Sequence, residues 1–511
     1  MQGNGDRDPE LLDAAALVGH LVPKGSVYAF LAEHRRRLFP DEMFNDLFPT
    51  RRGRPSVPGD VVATVMLLQA LEGLSDRDAI VSLRTDLRWK VAAGLALGDE
   101  GFHPTVLTLW RNKLRASDRP QRIFDAVRQV VAETGMLKGK TRRALDSTLL
   151  DDAVATQDTV TQLVSMIRRV RAAVPAAAEV EVTAHDYTAG GKPACAWDDP
   201  AARDELVTAL VCDARAILDG LDGVDLDEDQ QQLVALLALV AGQDVEPDPD
   251  RGEGAWRIAR RVAPDRVIST VDPETRHMHK SRSVYRDGFK AHVAVEPDTG
   301  IITGVDLTPA NAGDGPTGVA LLAGEEPGLE ILADSAYGSG QVRHDLDAAG
   351  HTAVIKPWPL ARNPKLGADQ FHRDDFTIDY QARTVTCPEN QTVPISPGGA
   401  ADFGPRCRGC PVRARCTSAV DGKTFRVTDH DQHLAAARTN WATGTGLEDY
   451  RQHRPMVERS LAWLVANNNR RVRYRGVDRN RIGLSTRAAA INLRRIINLG
   501  LHHGPEGWTI T

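Results

Sequence analysis

Residues 331–340 read ILADSAYGSG, from Ile331 to Gly340. Ile331, Leu332 and Ala333 have the character of a short buried strand, and an acid, Asp334, stands at its tip. Small residues follow, and they keep bulk away from the carboxylate. Burying a charged group without a partner is costly. Asp334 therefore either caps the next turn or holds something positive.

Working outward, other segments share this strand character. RRALDST (Arg142–Thr148) is a short strand with Asp146 inside it. DGFKAHVAVEPDTGIITGVDLTPA (Asp287–Ala310) alternates around Pro297-Asp298-Thr299-Gly300, the pattern of a β-hairpin. TAVIKPW (Thr352–Trp358) is a further strand. Helical patterns lie between and after them, so the spacing predicts a mixed sheet flanked by helices.

Residues 1–138 read as an all-α N-terminal domain. Val61, Val65, Leu68 and Leu71 recur at helical spacing, Gly73 ends that helix and Ser75 caps the next. HPTVLTLWRNKLRAS (His103–Ser117) ends in basic residues. Several short helices with a basic last one are compatible with helix-turn-helix DNA binding, a generic helical bundle being the plainer reading. An α/β region is expected over 139–500, with 501–511 as a tail. Two insertions interrupt it: a helical, acidic one over 153–265, and a Pro-, Gly- and Cys-rich one over 359–430.

At 511 residues two or three domains are expected. No apolar run is long enough to span a membrane, and the polar start MQGNGDRDPELL is not a signal peptide. The net charge of -6 hides a segregation. Between Asp198 and Asp250 there are fifteen acids and two Arg; between Arg470 and Arg495 there are nine Arg and one acid. A local basic surface matters more to a polyanion than the total charge does.

Three acids stand out by position: Asp146 in the first core strand, Asp334 at a later strand end, and Glu458 on a helix among Met456, Val457, Leu461 and Leu464. Two strand acids facing one space, joined by a helix acid, are able to hold two Mg²⁺ ions about 3.5–4 Å apart, a spacing suited to phosphodiester chemistry. Plainer readings stay open for each: a turn cap for Asp146, an Asx turn for Asp334, a surface ion pair with Arg454 for Glu458.

Five motifs in order carry a family resemblance: ALDST, DGFKAHVAVEPDTGIITGVDLTPANAGD, LADSAYGSG, RPMVERSLAWL and NRRVRYRG. The chain resembles bacterial insertion-sequence transposases of the DDE type, from about residue 27 to 499, in the subgroup with a helical N-terminal domain and a Cys-containing insert. The resemblance implies a ribonuclease-H-like fold and a two-metal site. It maps the acidic triad onto Asp146, Asp334 and Glu458, with Mg²⁺ as cofactor and Mn²⁺ as a substitute. It implies hydrolytic nicking at transposon ends, followed by attack of the freed 3′-OH on target DNA. Double-stranded DNA, both terminal inverted repeats and target, is the implied partner, engaged by a homodimer. The implied setting is a bacterial cytoplasm, at the nucleoid. Relatives often carry Tyr seven residues before the Glu, Arg four before it and Lys seven after. Here Arg451, Arg454 and Val465 stand there, and Tyr450 is one place off.

Expected DNA contacts are Lys290 and His292, two residues apart on one strand face, with Arg451, Arg454, Arg470, Arg471, Arg473 and Arg475; for the strand pair, solvent-facing polar positions are the plainer reading. Asp314 is read as a turn residue. Cys387, Cys407, Cys410 and Cys416 cluster in the second insertion, where a tetrahedral structural Zn²⁺ would explain how a segment poor in apolar residues folds; free thiols are the other reading. Cys195 and Cys212 are read as packed residues. Two other functions are weighed: a catalytically inactive DNA-binding regulator of transposase descent, and a stand-alone nuclease.

Overall fold

A computed structural model of the chain describes residues 1–4, 12–50, 52–279 and 283–511. Most of the polar N-terminal stretch lies outside the described residues.

The central sheet has six strands: β1 (Arg142–Asp151), β2 (Arg276–His279), β3 (Tyr285–Glu296), β4 (Ile301–Pro309), β5 (Glu330–Ala333) and β6 (Thr352–Ile355). β1 pairs antiparallel with β3 and parallel with β5, and β5 pairs parallel with β6. β3 is long enough to carry β2 and β4 one after the other along its far edge. An antiparallel hairpin leading into parallel strands, with helices on both faces, is a ribonuclease-H-like sheet. The β3–β4 turn falls where Pro297–Gly300 predicts it. Glu296, fully buried, closes it by accepting from the Asp298 and Thr299 N–H groups at 3.0 and 2.7 Å.

Alternation sorts the strands into two faces. Ala144, Leu150, Ala291, Val293, Val295 and Leu332 join the larger core, with the helices Pro455–Val465 and Val477–Asn498. Leu145, Ala294, Ile331, Ala333 and Tyr337 join a smaller core on the opposite face.

The N-terminal helices share the larger core. The helix Gly59–Glu72 is buried on nearly all sides, not on one stripe as its spacing predicts, and it packs on Val477–Asn498. A helix apolar all round sits at a core centre. Gly73 ends it at φ 71°, and a Cβ there would lie 1.9 Å from the Asn467 carbonyl, so the position needs glycine for both conformation and space. Ser75 caps Asp76–Thr85 by accepting from the Asp78 N–H. The 1–138 segment thus shares a core with the sheet.

The helical insertion is organised differently. Thr159–Ala173, Pro200–Gly220 and Glu228–Gln243 enclose a core of their own. Cys212 there is exposed, which corrects its reading as a packed residue, and Cys195 is half-buried. The Cys-rich insertion also has an apolar core, formed by Val385, Val393 and Phe425 on short strands and by Phe376 and Phe403 beside strand ends. This corrects the expectation that it lacks the apolar residues to fold.

Candidate active site

Register brings the two strand acids together. Ala144 lies opposite Leu332 in the parallel ladder. Continuing the register two residues past its end sets Asp146 opposite Asp334, on the sheet face that carries the larger core. Each carboxylate spends one oxygen locally: Asp146 Oδ1 accepts from the Ser147 N–H at 2.8 Å, and Asp334 Oδ1 from the Ala336 N–H at 2.9 Å. Asp334 thus caps the turn Ser335–Tyr337 with one oxygen, whereas Asp146 lies inside β1 with no turn at Ser147-Thr148 to cap, and these bonds aim the other oxygen of each.

Glu458 arrives on Pro455–Val465, whose Val457, Leu461 and Leu464 pack on the same sheet face. Proline at the first helical position presets the backbone and lacks an N–H that would go unused. Glu458 is exposed in the first turn and pairs with Arg454 at 3.4 Å, as the ion-pair reading has it. Arg454 also pairs with Asp146 at 2.9 Å. One nearly buried guanidinium thus bridges the strand acid and the helix acid, and its Nε has no partner.

The electrostatics describe an acid pocket short of positive charge. Burial raises the Asp146 pKa above the ordinary carboxylate value, Asp334 adds to the rise, and Arg454 and the Ser147 N–H oppose it. Tyr450 is raised first by burial, with Asp334, Glu458 and Asp146 all contributing. Its phenol therefore senses all three acids, although it stands one place from the position where relatives carry Tyr. The ring of Trp441 meets it edge-on at 5.1 Å.

The opposite face holds a separate polar cluster. Lys290 Nζ lies 3.2 Å from Asp314 and donates to the Ala312 carbonyl at 2.6 Å. Ser147 donates to Asp314 at 2.7 Å. His292 Nε2 and the Thr308 hydroxyl are 2.9 Å apart, with Nδ1 3.8 Å from Asp314. Lys290 and His292 are 3% and 0% exposed, so they face neither DNA nor solvent, which corrects both sequence readings. Burial depresses His292 to about 4, and nearby Asp314 opposes the shift. Asp314 is an anchor for three side chains and not merely a turn residue; sequence reading missed this because its partners lie far away in the chain.

The expected arginine contacts divide. Arg454 is committed to the acids, which corrects its reading as a free phosphate partner. Arg470 donates to the Leu149 carbonyl, Arg471 to Asp152 and Arg473 to Gly73, at 3.2, 3.0 and 2.5 Å. The chain at Arg470–Val472 continues the sheet beside Asp151, which explains these bonds. Arg451, Arg471, Arg473 and Arg475 are exposed. Tyr474 lies under the Arg111 guanidinium at 4.6 Å, so its ring is already stacked. Arg111 and Lys113, in the basic helix Thr105–Arg115, bind Asp76 and the Leu47 carbonyl.

The four clustered cysteines line one small pocket, with Cys416 buried. Among the described residues, the group that brings three metal-ligating atoms within 4.8 Å of one another is His344, His430 and His433, not the cysteines.

A six-strand ribonuclease-H-like sheet with an acid on its first strand, an acid after a neighbouring strand and an acid on a packed helix defines the class of DDE polynucleotidyl enzymes. The family models agree. A Transposase DDE domain matches residues 260–493 and a Transposase domain (DUF772) matches residues 18–113. The chain belongs to the insertion-sequence DDE transposases. The first match holds Asp334 and Glu458 and begins near the end of the helical insertion, leaving Asp146 upstream. No curated protein and no solved structure matches the chain. Such domains generally use divalent metals, and transposases act on DNA. No helix among the described residues is long and apolar enough to cross a membrane.

Proposed function

We propose that the protein binds transposon ends, nicks DNA hydrolytically and joins the freed 3′-OH to target DNA, with Asp146, Asp334 and Glu458 as the catalytic acids. The observation that carries this reading is the meeting of Asp146 and Glu458 on one guanidinium, with Asp334 beside Asp146. The donor set fits Mg²⁺ or Mn²⁺: hard carboxylate oxygens, two of them pre-aimed by backbone bonds, in a pocket where one cation offsets three acids. Bound divalent ions would activate the attacking oxygen and stabilise the leaving 3′ oxygen. The Ser147 and Ala336 N–H groups keep the strand carboxylates oriented. Arg454 holds Asp146 and Glu458 in readiness. Tyr450 supplies a hydroxyl at the rim of the pocket.

Exposed Arg451, Arg471, Arg473 and Arg475 are the proposed backbone contacts. A dimer on DNA follows from the need to cut two ends together, and the bacterial cytoplasm, at the nucleoid, is the proposed setting. A structural Zn²⁺ among Cys387, Cys407, Cys410 and Cys416 is supported by their shared pocket; the insert's apolar core leaves it unnecessary for folding.

The test is Mg²⁺-dependent cleavage and joining of DNA carrying the inverted repeats that flank the gene, with Asp334→Asn as the control. Cleavage and joined products lost in the variant support the reading. Binding without cleavage by the native chain would favour the inactive regulator, and cleavage without joining a stand-alone nuclease.

A further inference from the structure

We propose that His344, His430 and His433 form a transition-metal site that staples the element after Asp334 to the element leading to Glu458. His344 sits within the helix Gly340–Ala348, which starts six residues beyond Asp334. His430 immediately precedes Asp431–Thr443, and His433 lies in that helix's first turn. After that helix ends at its cap, Gly444, the chain leads through a separate helix, Leu447–His453, into Pro455–Val465. One ring nitrogen from each histidine lies within 4.8 Å of the other two. The rings of His344 and His430 stack at 4.4 Å, and His433 meets His344 edge-on at 5.5 Å.

The surrounding structure builds this proximity. A Cβ on Gly340 would lie 2.9 Å from both Cβ and the carbonyl oxygen of His430, so the two elements approach as closely as they do only because Gly340 has no side chain. His430 and His433 are three residues apart at a helix start, which turns both toward one neighbour. Asp431 between them is buried and fixed by Arg373 at 2.6 Å and by the Tyr380 hydroxyl at 3.1 Å, so the helix start is anchored to the Cys-rich insert.

Three imidazoles select Zn²⁺, Co²⁺ or Ni²⁺ over Mg²⁺, which prefers oxygen. Imidazole nitrogens bind zinc at about 2.0–2.1 Å, so small side-chain rotations close the group on one ion and leave a fourth position for water. The site is separate from the acid pocket and takes a different ion. Its occupancy ties the elements that deliver two of the three acids, and through Asp431 it ties them to the insert.

The test uses the full-length protein, stripped of metal and titrated with Co²⁺ under excess Mg²⁺, which keeps the carboxylate pocket out of competition. The expected result is an equivalent whose visible ligand-field spectrum lacks the near-ultraviolet thiolate charge-transfer band, separate from any equivalent that the cysteines take up. Affinity should fall at least about tenfold in His433→Gln and in His344→Gln, and stay unchanged in Cys407→Ser. Circular dichroism melts confirm that the histidine variants, changed at partly exposed positions, are folded. Unchanged Co²⁺ affinity in the folded His344→Gln/His433→Gln double variant would overturn the proposal. So would a thiolate band on the only equivalent bound.

Discussion

Asp146 and Ser147 are successive residues of β1 and point to opposite faces of the sheet. On the Asp146 face, two of the three carboxylates share one arginine with Asp334 beside them, and that arginine keeps an unpartnered nitrogen. On the Ser147 face, Asp314 receives Ser147 and Lys290, with His292 beside it, and Lys290 adds the Ala312 carbonyl. Both clusters are polar and both sit in a hydrophobic sheet. One is nearly satisfied within the protein; the other is short of positive charge and open at Glu458. A buried polar network that satisfies itself holds a fold together. One that leaves charge uncompensated costs stability and is retained for what it will bind.

The largest effect expected from this contrast is on chemistry. Asp334→Asn should lower DNA cleavage by at least about 10³-fold, the several kcal/mol that metal-held charge supplies. It should leave the melting temperature within a few degrees of the native value, because Asp334 makes one local bond. Unfolding together with loss of activity would show that the two faces are not separable.

Asp314→Ala should do the reverse. It strands the buried Lys290 ammonium and removes the Ser147 acceptor, so a loss of about 3–5 kcal/mol in urea-unfolding stability is expected. A stability change under about 1 kcal/mol would mean that this cluster too is held together for a ligand.

A smaller effect tests the same face by pH. His292 in the folded chain is pushed down to about 4 from an ordinary 6.5. The unfolded chain therefore binds more protons between those values, so stability is present above about pH 6.5 and is lost as the pH falls. About 2 kcal/mol should go between pH 7 and pH 5 from this residue. Thermal melts of His292→Gln should show that much less acid sensitivity than the native chain; identical slopes would refute the assignment.

The contrast also marks what could be read from the chain. Strand alternation and the Pro297–Gly300 turn locate the hairpin, and the run into Asp334 locates the acid, because both signals are local. Alternation says that Lys290 and His292 share a face. It does not say which face, and both faces of this sheet are covered, so a polar strand residue has no necessary route to solvent. Arg454 and Glu458 share a helix side by spacing, but the bond from Arg454 to Asp146 spans most of the chain. The basic stretch after Asn469 looks like one surface in sequence, yet much of it is spent on carbonyls. Arg487, for example, is nearly buried and donates to the Leu71 and Trp463 carbonyls at 2.6 and 2.9 Å, tying two helix ends together.

That division yields the smallest expected effect. Arg475 is exposed and close enough to Arg169 to depress its pKa, though burial is the larger cause there, so it sits in a patch of like charge. Arg470 in contrast is half-buried, with its guanidinium on the Leu149 carbonyl. If exposed arginines contact phosphate and the committed ones do not, Arg475→Ala should weaken DNA binding uniformly across sequences. It should also reduce the slope of log affinity against log salt by about 1. Arg470→Ala should leave that slope unchanged and instead lower the melting temperature. Fluorescence anisotropy over a salt series distinguishes them. Equal slopes for native and Arg475→Ala protein would move the DNA path off this edge of the sheet.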